Sequence, residues 1–107
     1  MKGYQVTFLT VENHKHKGKP VAHWLVDLAK EMGLRGATVV PATEGFGAHG
    51  RLHSAHFFEL ADRPSEVVIV VSDAECDALF ERLAAEGVRI FYLKSPVEFG
   101  MLGGESG

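Results

Sequence analysis

The chain has 107 residues, of which 46% are hydrophobic and 23% are charged, a composition typical of one small globular domain. The formal net charge of −3 argues against a general nucleic-acid-binding protein, because that class carries an excess of Lys and Arg. No apolar run reaches the roughly 18–20 residues needed to cross a bilayer, and the N-terminus carries no signal-peptide pattern. With Cys76 as the single cysteine, these features predict a cytoplasmic protein without an internal disulfide.

The first part of the chain predicts a strand followed by a helix. Apolar and polar residues alternate over residues 4–11, the period of a half-buried strand. A polar loop follows, and Pro20 stands where the first helical residue is expected. Gly33 is placed to end this helix in a left-handed conformation. The apolar face of the helix is predicted from helical spacing: Val21, Trp24, Leu25, Leu28 and Met32.

The middle of the chain predicts two more strands separated by a long loop. A strand over residues 37–43 contains Pro41, which cannot donate to a ladder and therefore indicates a sheet edge or a bulge. Residues 44–64 form an irregular, Gly-containing segment, and a loop of this length in a small domain is often functional. Five consecutive apolar residues, 67–71, then predict a central strand over residues 66–71.

The last part of the chain predicts a second helix and a final strand. Ser72 and Glu75 have the spacing of a capping box, and Gly87 is placed to close the helix. A strand is predicted over residues 88–93. The domain is expected to span residues 1–94, with residues 95–107 as a frayed C-terminal tail.

The order of these elements is βαββαβ, which predicts an α+β, ferredoxin-like sandwich. Right-handed crossovers place both helices on one face of a four-stranded sheet. Because residues 67–71 are apolar on both faces, something must cover the helix-free face, and a second subunit is the simplest candidate.

Four segments of the sequence carry a family resemblance. They are HKGKP at 16–20, GLRGATV at 33–39, EGFG at 44–47 and RLHSA at 51–55. In this order and spacing they resemble the signature of an uncharacterised PII-like family, catalogued as domain of unknown function one-ninety. The resemblance covers roughly residues 3–93. The family is similar in fold to the PII (GlnB-like) signalling proteins.

The resemblance implies a homotrimer whose sheets face the centre, which would cover the helix-free face. It also implies that residues 44–64 correspond to the PII T-loop, a flexible loop that contacts a target protein. That target is unidentified, with a membrane transporter as one candidate class. One feature departs from true PII proteins: the connection after the second helix, residues 85–88, is too short for their Gly-rich phosphate-gripping loop.

A replacement phosphate site is predicted in the loop before the first helix. Lys15, Lys17 and Lys19 flank Gly18, which allows close backbone approach, and a helix N-terminus attracts anions. The alternative is a solvated basic turn. We weigh the two interpretations about equally.

A second part of the ligand site is predicted in the long loop. Two glycines around an aromatic residue suit a backbone that bends over a ligand, with Phe46 stacking on a base and Arg51 pairing with a phosphate or carboxylate. The alternative is that Phe46 packs in a core. The predicted loop residues are Glu44, Gly45, Phe46, Gly47, Arg51 and His53.

The histidines allow a metal-binding alternative. His14 and His16 have HxH spacing, and imidazole suits Zn, Cu or Ni. Surface histidines without a metal are the simpler interpretation.

The sequence thus predicts a non-enzymatic PII-like regulator without catalytic residues, since no nucleophile elbow, HExxH or Walker A motif is present. The predicted ligand is a small anion bound at intersubunit clefts, and the candidates are the adenine nucleotides ATP, ADP and AMP or a cyclic nucleotide. The alternative function is a divalent-metal-binding trimer akin to the CutA relatives of this fold.

Overall fold

The computed structural model describes residues 1–41, 44–46, 52–54 and 63–103, with side chains described outside 44–46 and 52–54. The elements follow the predicted βαββαβ order, with two small hairpins added. The large strands are β1 (Lys2–Val11), β4 (Thr38–Pro41), β7 (Pro64–Ser72) and β8 (Phe91–Glu98). The helices are α1 (Val21–Glu31) and α2 (Asp73–Glu86). The hairpins are β2 (Lys15–His16) with β3 (Lys19–Pro20), and β5 (Glu44–Phe46) with β6 (Leu52–Ser54).

The main sheet is antiparallel, with strand order β4-β7-β1-β8, so the two longest strands lie in the middle. Val6 pairs with Ile69 and Phe8 pairs with Val67, and all four side chains are fully buried against the helices. This alternation places the hydrophobic core between one sheet face and the two helices. The core also includes Cys76, and burial raises the pKa of its thiol.

Helix α1 begins one residue later than predicted. Pro20 precedes it with φ −54° and ψ 137°, so it is the residue before the first helical turn and ends β3. Its fixed φ suits this position as well as the first turn. Gly33 adopts a left-handed φ of 71° directly after the last turn, as predicted. The buried positions of α1 include Val21, Leu25 and Leu28.

The predicted capping box of α2 is confirmed. The Glu75 amide donates to Ser72 Oγ, and the Ser72 amide donates to Glu75 Oε1 at 2.9 Å. The hydrogen bond from the Ser72 amide, helped by Arg35, lowers the pKa of the Glu75 carboxyl. Gly87 ends α2 with a left-handed φ of 71°.

The final strand corrects the prediction. It was expected at residues 88–93, but β8 spans Phe91–Glu98 and therefore includes residues assigned to the tail. Pro96 lies within it, opposite Tyr4 of β1. A proline is tolerated there because β8 is an edge strand. On the outer side of an edge strand, a backbone amide makes no ladder hydrogen bond, so the missing N–H of proline breaks none. Pro41 likewise ends an edge strand, β4, as predicted.

The sheet face away from the helices carries exposed apolar side chains. Because Val6 and Phe8 point toward the helices, Thr7 and Leu9 point away from them. In β8, Leu93 opposite Thr7 and Phe91 opposite Leu9 share this face. Phe91 is 61% exposed and Leu93 is 54% exposed. We call these residues the helix-free face.

Candidate functional site

The predicted basic loop is a tight hairpin. Lys15 pairs with Pro20, and His16 pairs with Lys19. The two turn residues both have positive φ, 53° at Lys17 and 80° at Gly18, which is the pattern of a two-residue type I′ turn. Gly18 therefore serves the turn itself, and its predicted close approach to a ligand stays a prediction.

The predicted anion-binding lysines are paired with carboxylates. Lys17 Nζ lies 2.8 Å from Glu86 Oε1, and Lys19 Nζ lies 2.6 Å from Asp27 Oδ2. The hydrogen bond from Lys19 lowers the pKa of the Asp27 carboxyl. The first amide of α1 is also used, because Val21 N donates to the His14 carbonyl at 2.8 Å. Any anion at this hairpin would have to exchange with these partners.

The two histidines of the predicted HxH pair have different surroundings. His16 Nε2 lies 3.1 Å from Glu86 Oε1, and its ring meets Trp24 edge-on at a centroid distance of 4.5 Å. His14 Nδ1 lies 3.2 Å from Thr10 Oγ1. Within the described part of the chain, no group of three or more His, Cys, Asp or Glu side chains is placed to hold a metal ion.

A groove of about 570 Å³ lies between the end of β1, hairpin β2–β3, the start of α1 and the adjoining ends of β4 and β7. Its basic lining residues are Lys15, His23 and Arg63. Pro20, Val39 and Pro41 contribute apolar lining. Pro41 lies just before the long loop and Arg63 lies near its end, so the groove opens at the base of that loop.

Two cations of the groove have no ion-pair partner among the residues that the structure describes. They are Lys15, exposed on β2, and Arg63, half-buried directly before β7. The backbone of Arg63 is fixed, because its carbonyl accepts a hydrogen bond from the Glu12 amide at 3.0 Å. Glu12 also lines the groove and brings a carboxylate to it. Unpaired cations in a concave site are suited to binding an anion.

Sequence reasoning placed Lys15 next to the predicted site but missed His23 and Arg63. The available signal was positional: Arg63 lies at the end of the long loop, and His23 lies in the first turn of α1. Neither residue belongs to a recognisable motif, and their proximity depends on how α1 packs against the sheet near the start of β7.

The predicted loop residues fall partly on a second hairpin. Glu44, Gly45 and Phe46 lie on β5, and His53 lies on β6 opposite Gly45. Gly47 and Arg51 lie outside the described residues, as do most positions of the predicted T-loop over residues 44–64.

Comparison with solved structures identifies the fold. The fold is similar to CPII, a nitrogen regulatory PII-like protein from Thiomonas intermedia K12, in a structure with bound ADP, AMP and bicarbonate. The TM-score is 0.68 at 19% identity, covering 94% of this chain and 91% of CPII. A putative PII-like signaling protein from Thermus thermophilus gives a TM-score of 0.66 at 18% identity, covering 91% of this chain and 88% of that one. The fold is therefore PII-like, as the resemblance implied.

The family assignment rests on the sequence. The chain belongs to the DUF190 family, whose model, described as "Uncharacterized ACR, COG1993", matches residues 3–90. A UPF0166 protein from Aquifex aeolicus (strain VF5) is 35% identical over 66 residues. That alignment spans 62% of this chain and 63% of the relative's length.

Among the described residues, neither helix has the length and apolar character of a membrane span.

Proposed function

We propose that the protein is a PII-like regulatory protein that binds an adenine nucleotide, without turnover, in clefts formed between three copies of the chain. Ligand binding then changes how the loop at residues 44–64 contacts a target protein. The neighbouring structures name no target, and a membrane transporter stays a prediction.

The observation that carries this proposal is the groove at the base of the loop. It combines Lys15 and Arg63, which have no ion-pair partner among the described residues and suit phosphates, with an apolar wall at Val39 and Pro41, which suits a base or ribose. A ligand that bridges them touches both ends of the long loop. Its binding energy can therefore favour one loop arrangement over another, which is the requirement for a ligand-controlled switch.

The choice of ligand is supported by the fold and by its relatives. Structures of CPII hold ADP with AMP and bicarbonate, or ADP with bicarbonate. We therefore expect ADP or AMP as the first ligands to test, followed by ATP and a cyclic nucleotide. The short connection after α2 means that this chain must grip phosphates with other residues, and Lys15 and Arg63 are suitably placed.

The remaining predicted site residues belong to the same proposal. Lys17, Gly18 and Lys19 form the hairpin next to the groove; Lys19 would exchange Asp27 for phosphate, and Lys17, kept on Glu86, would add its positive charge to the site. The loop residues Glu44, Gly45, Phe46, Gly47, Arg51 and His53 would close over the bound ligand.

The trimer is supported by the helix-free face. Phe91, Leu93 and Leu9 are exposed there in the single chain, and burying apolar area of this kind is the main force that drives association. A trimer with its sheets facing inward buries this face and leaves the helices outside.

The experiment is isothermal titration of the full chain with ADP, comparing wild type with a Lys15→Ala, Arg63→Ala double variant. Losing two charge-assisted contacts is expected to weaken ADP binding about 100-fold. A Lys30→Ala, Arg89→Ala variant removes the same net charge from exposed positions that do not line the groove. It is expected to bind ADP within about twofold of wild type, because solvent and salt screen such distant charges.

Two outcomes would contradict the proposal. If the wild-type protein binds no adenine nucleotide, the proposed ligand is wrong. If both double variants lose ADP affinity equally, the groove is not the binding site. Chromatography of the nucleotide after incubation tests the absence of turnover. Stabilisation by Zn, Cu or Ni, with none by nucleotides, would instead support the metal-binding alternative.

A further inference from the structure

Glu86 connects hairpin β2–β3 to the end of α2. Its Oε1 atom lies 2.8 Å from Lys17 Nζ and 3.1 Å from His16 Nε2, and its Oε2 atom lies 3.4 Å from Arg82 Nε. The Glu86 side chain is only 14% exposed. Arg82 in turn lies 2.7 Å from Glu31 of α1. We call Glu86, Lys17 and His16 the hairpin anchor.

The position of Glu86 is unfavourable for α2 on its own. It is the last residue of the helix, where the helix dipole disfavours a negative charge, and the last turn contains no basic residue. The hydrogen bonds from Lys17 and His16 offset this and lower the pKa of Glu86 from 4.5 to about 2. Lys17 also adopts a left-handed φ of 53°, a conformation that non-glycine residues rarely adopt. The ion pair with Lys17 at 2.8 Å and the hydrogen bond with His16 at 3.1 Å therefore hold the hairpin against the end of α2.

The anchor controls where Lys15 lies. Neighbouring residues of a strand point to opposite sides, so fixing His16 against Trp24 and Glu86 directs Lys15 the other way, toward the groove that it lines. The base of the hairpin is fixed separately, because Val21 N donates to the His14 carbonyl. Lys15 therefore sits between two fixed points.

We infer that Glu86 is a positioning residue for the ligand site: through His16 and Lys17 it holds the hairpin so that Lys15 presents its ammonium group to the groove. This inference rests on the proposed function, in which the groove binds an adenine nucleotide. Glu86 itself does not touch the ligand.

The test is titration with ADP of the full-length Glu86→Gln variant beside a Glu31→Gln control. Glu31 belongs to the same charge network through Arg82 but makes no described contact with the hairpin. We expect Glu86→Gln to weaken ADP binding about fivefold and Glu31→Gln to leave it unchanged. Glu86→Asp keeps the charge but withdraws the carboxylate by one methylene. The ADP affinity of Glu86→Asp should lie between those of Glu86→Gln and Glu31→Gln. If Glu86→Gln does not fold, Glu86→Asp is compared with Glu31→Gln instead.

A double-mutant cycle separates positioning from general destabilisation. If Glu86 acts through Lys15, the Glu86→Gln loss disappears in a Lys15→Ala background, whereas independent effects would multiply. Three outcomes would overturn the inference while leaving the proposed function standing. Both Glu86 variants could bind ADP with wild-type affinity, or Glu31→Gln could lose as much ADP affinity as Glu86→Gln. The third outcome is a loss of ADP affinity from Glu86→Gln that is just as large in the Lys15→Ala background. Absence of ADP binding by wild type would overturn both.

Discussion

At the scale of single residues, the ability of the groove to bind an anion depends on which of its nearby cations already have carboxylate partners. Lys17 and Lys19 are held by Glu86 and Asp27, whereas Lys15 and Arg63 face the groove without an ion-pair partner among the described side chains. A free cation offers its full charge to a ligand, but a paired one must first give up its carboxylate. In the proposed site, the ligand would therefore contact Lys15 and Arg63 first.

The Glu86 carboxylate predicts a specific loss of stability in acid. Because its folded-state pKa is about 2 against an ordinary 4.5, its stabilising effect is fully present above pH 4.5 and is lost as the pH falls toward 2. We expect Glu86→Gln to be less stable than wild type at pH 7, with the difference narrowing as the pH is lowered toward 3. Urea unfolding at matched protein concentration measures this. A difference that stays constant across this range would contradict the ion-pair account of Glu86.

The sequence revealed the cluster of lysines but not their partners. His16 and Glu86 lie 70 residues apart, and only the packing of hairpin β2–β3 against α2 brings them together. Lys19 and Asp27 are only eight residues apart, but Lys19 lies on β3 and Asp27 lies on α1, so helical spacing does not predict their contact. Local spacing therefore predicted a basic site without showing which of its charges remain available.

At the scale of elements, α2 offers a direct test of local capping. Replacing Ser72 with Ala removes the side-chain acceptor of the Glu75 amide and is expected to cost about 1 kcal/mol of unfolding free energy. Asp77→Ala is the control, because Asp77 is exposed on the same helix beyond its first turn, and it should cost less than about 0.5 kcal/mol. Equal unfolding midpoints for wild type and Ser72→Ala would show that the cap contributes nothing.

The hairpin turn makes a second prediction. Gly18 has a φ of 80°, which L-residues adopt at a cost of about 1–2 kcal/mol, so Gly18→Ala should loosen β2–β3 and increase amide exchange over residues 15–20. Gly100→Ala is the matched control, because Gly100 has open space around it and no left-handed φ is found there. If exchange in the hairpin is the same in both variants, the turn does not require a glycine.

Strong local sequence signals predicted most of the helices and strands, but the position of the last strand depends on its pairing with β1. The capping box and the glycines after each helix act within one or two turns, so they could be identified from sequence. The start of β8 could not, because residues 88–93 and 91–98 both contain strand-forming residues, and pairing with β1 selects Phe91–Glu98. Hairpin β2–β3 was missed because it requires Lys17 in a conformation unusual for its type.

At the scale of the whole molecule, the helix-free face is the surface through which we propose that copies of the chain associate. A single charge at its centre should prevent association: Leu93→Glu is expected to shift the protein to monomers in sedimentation velocity, because a buried carboxylate without a partner is costly. Leu102→Glu is the control, since Leu102 is 98% exposed and lies beyond β8. If Leu93→Glu assembles like wild type, the subunits meet elsewhere.

Native mass spectrometry of the wild-type protein with ADP tests the central claim most directly, because it reports assembly and ligand together. We expect a species with the mass of three 11.7-kDa chains that carries one ADP per chain. A single 11.7-kDa chain, or a trimer that acquires no nucleotide at saturating ADP, would contradict the account.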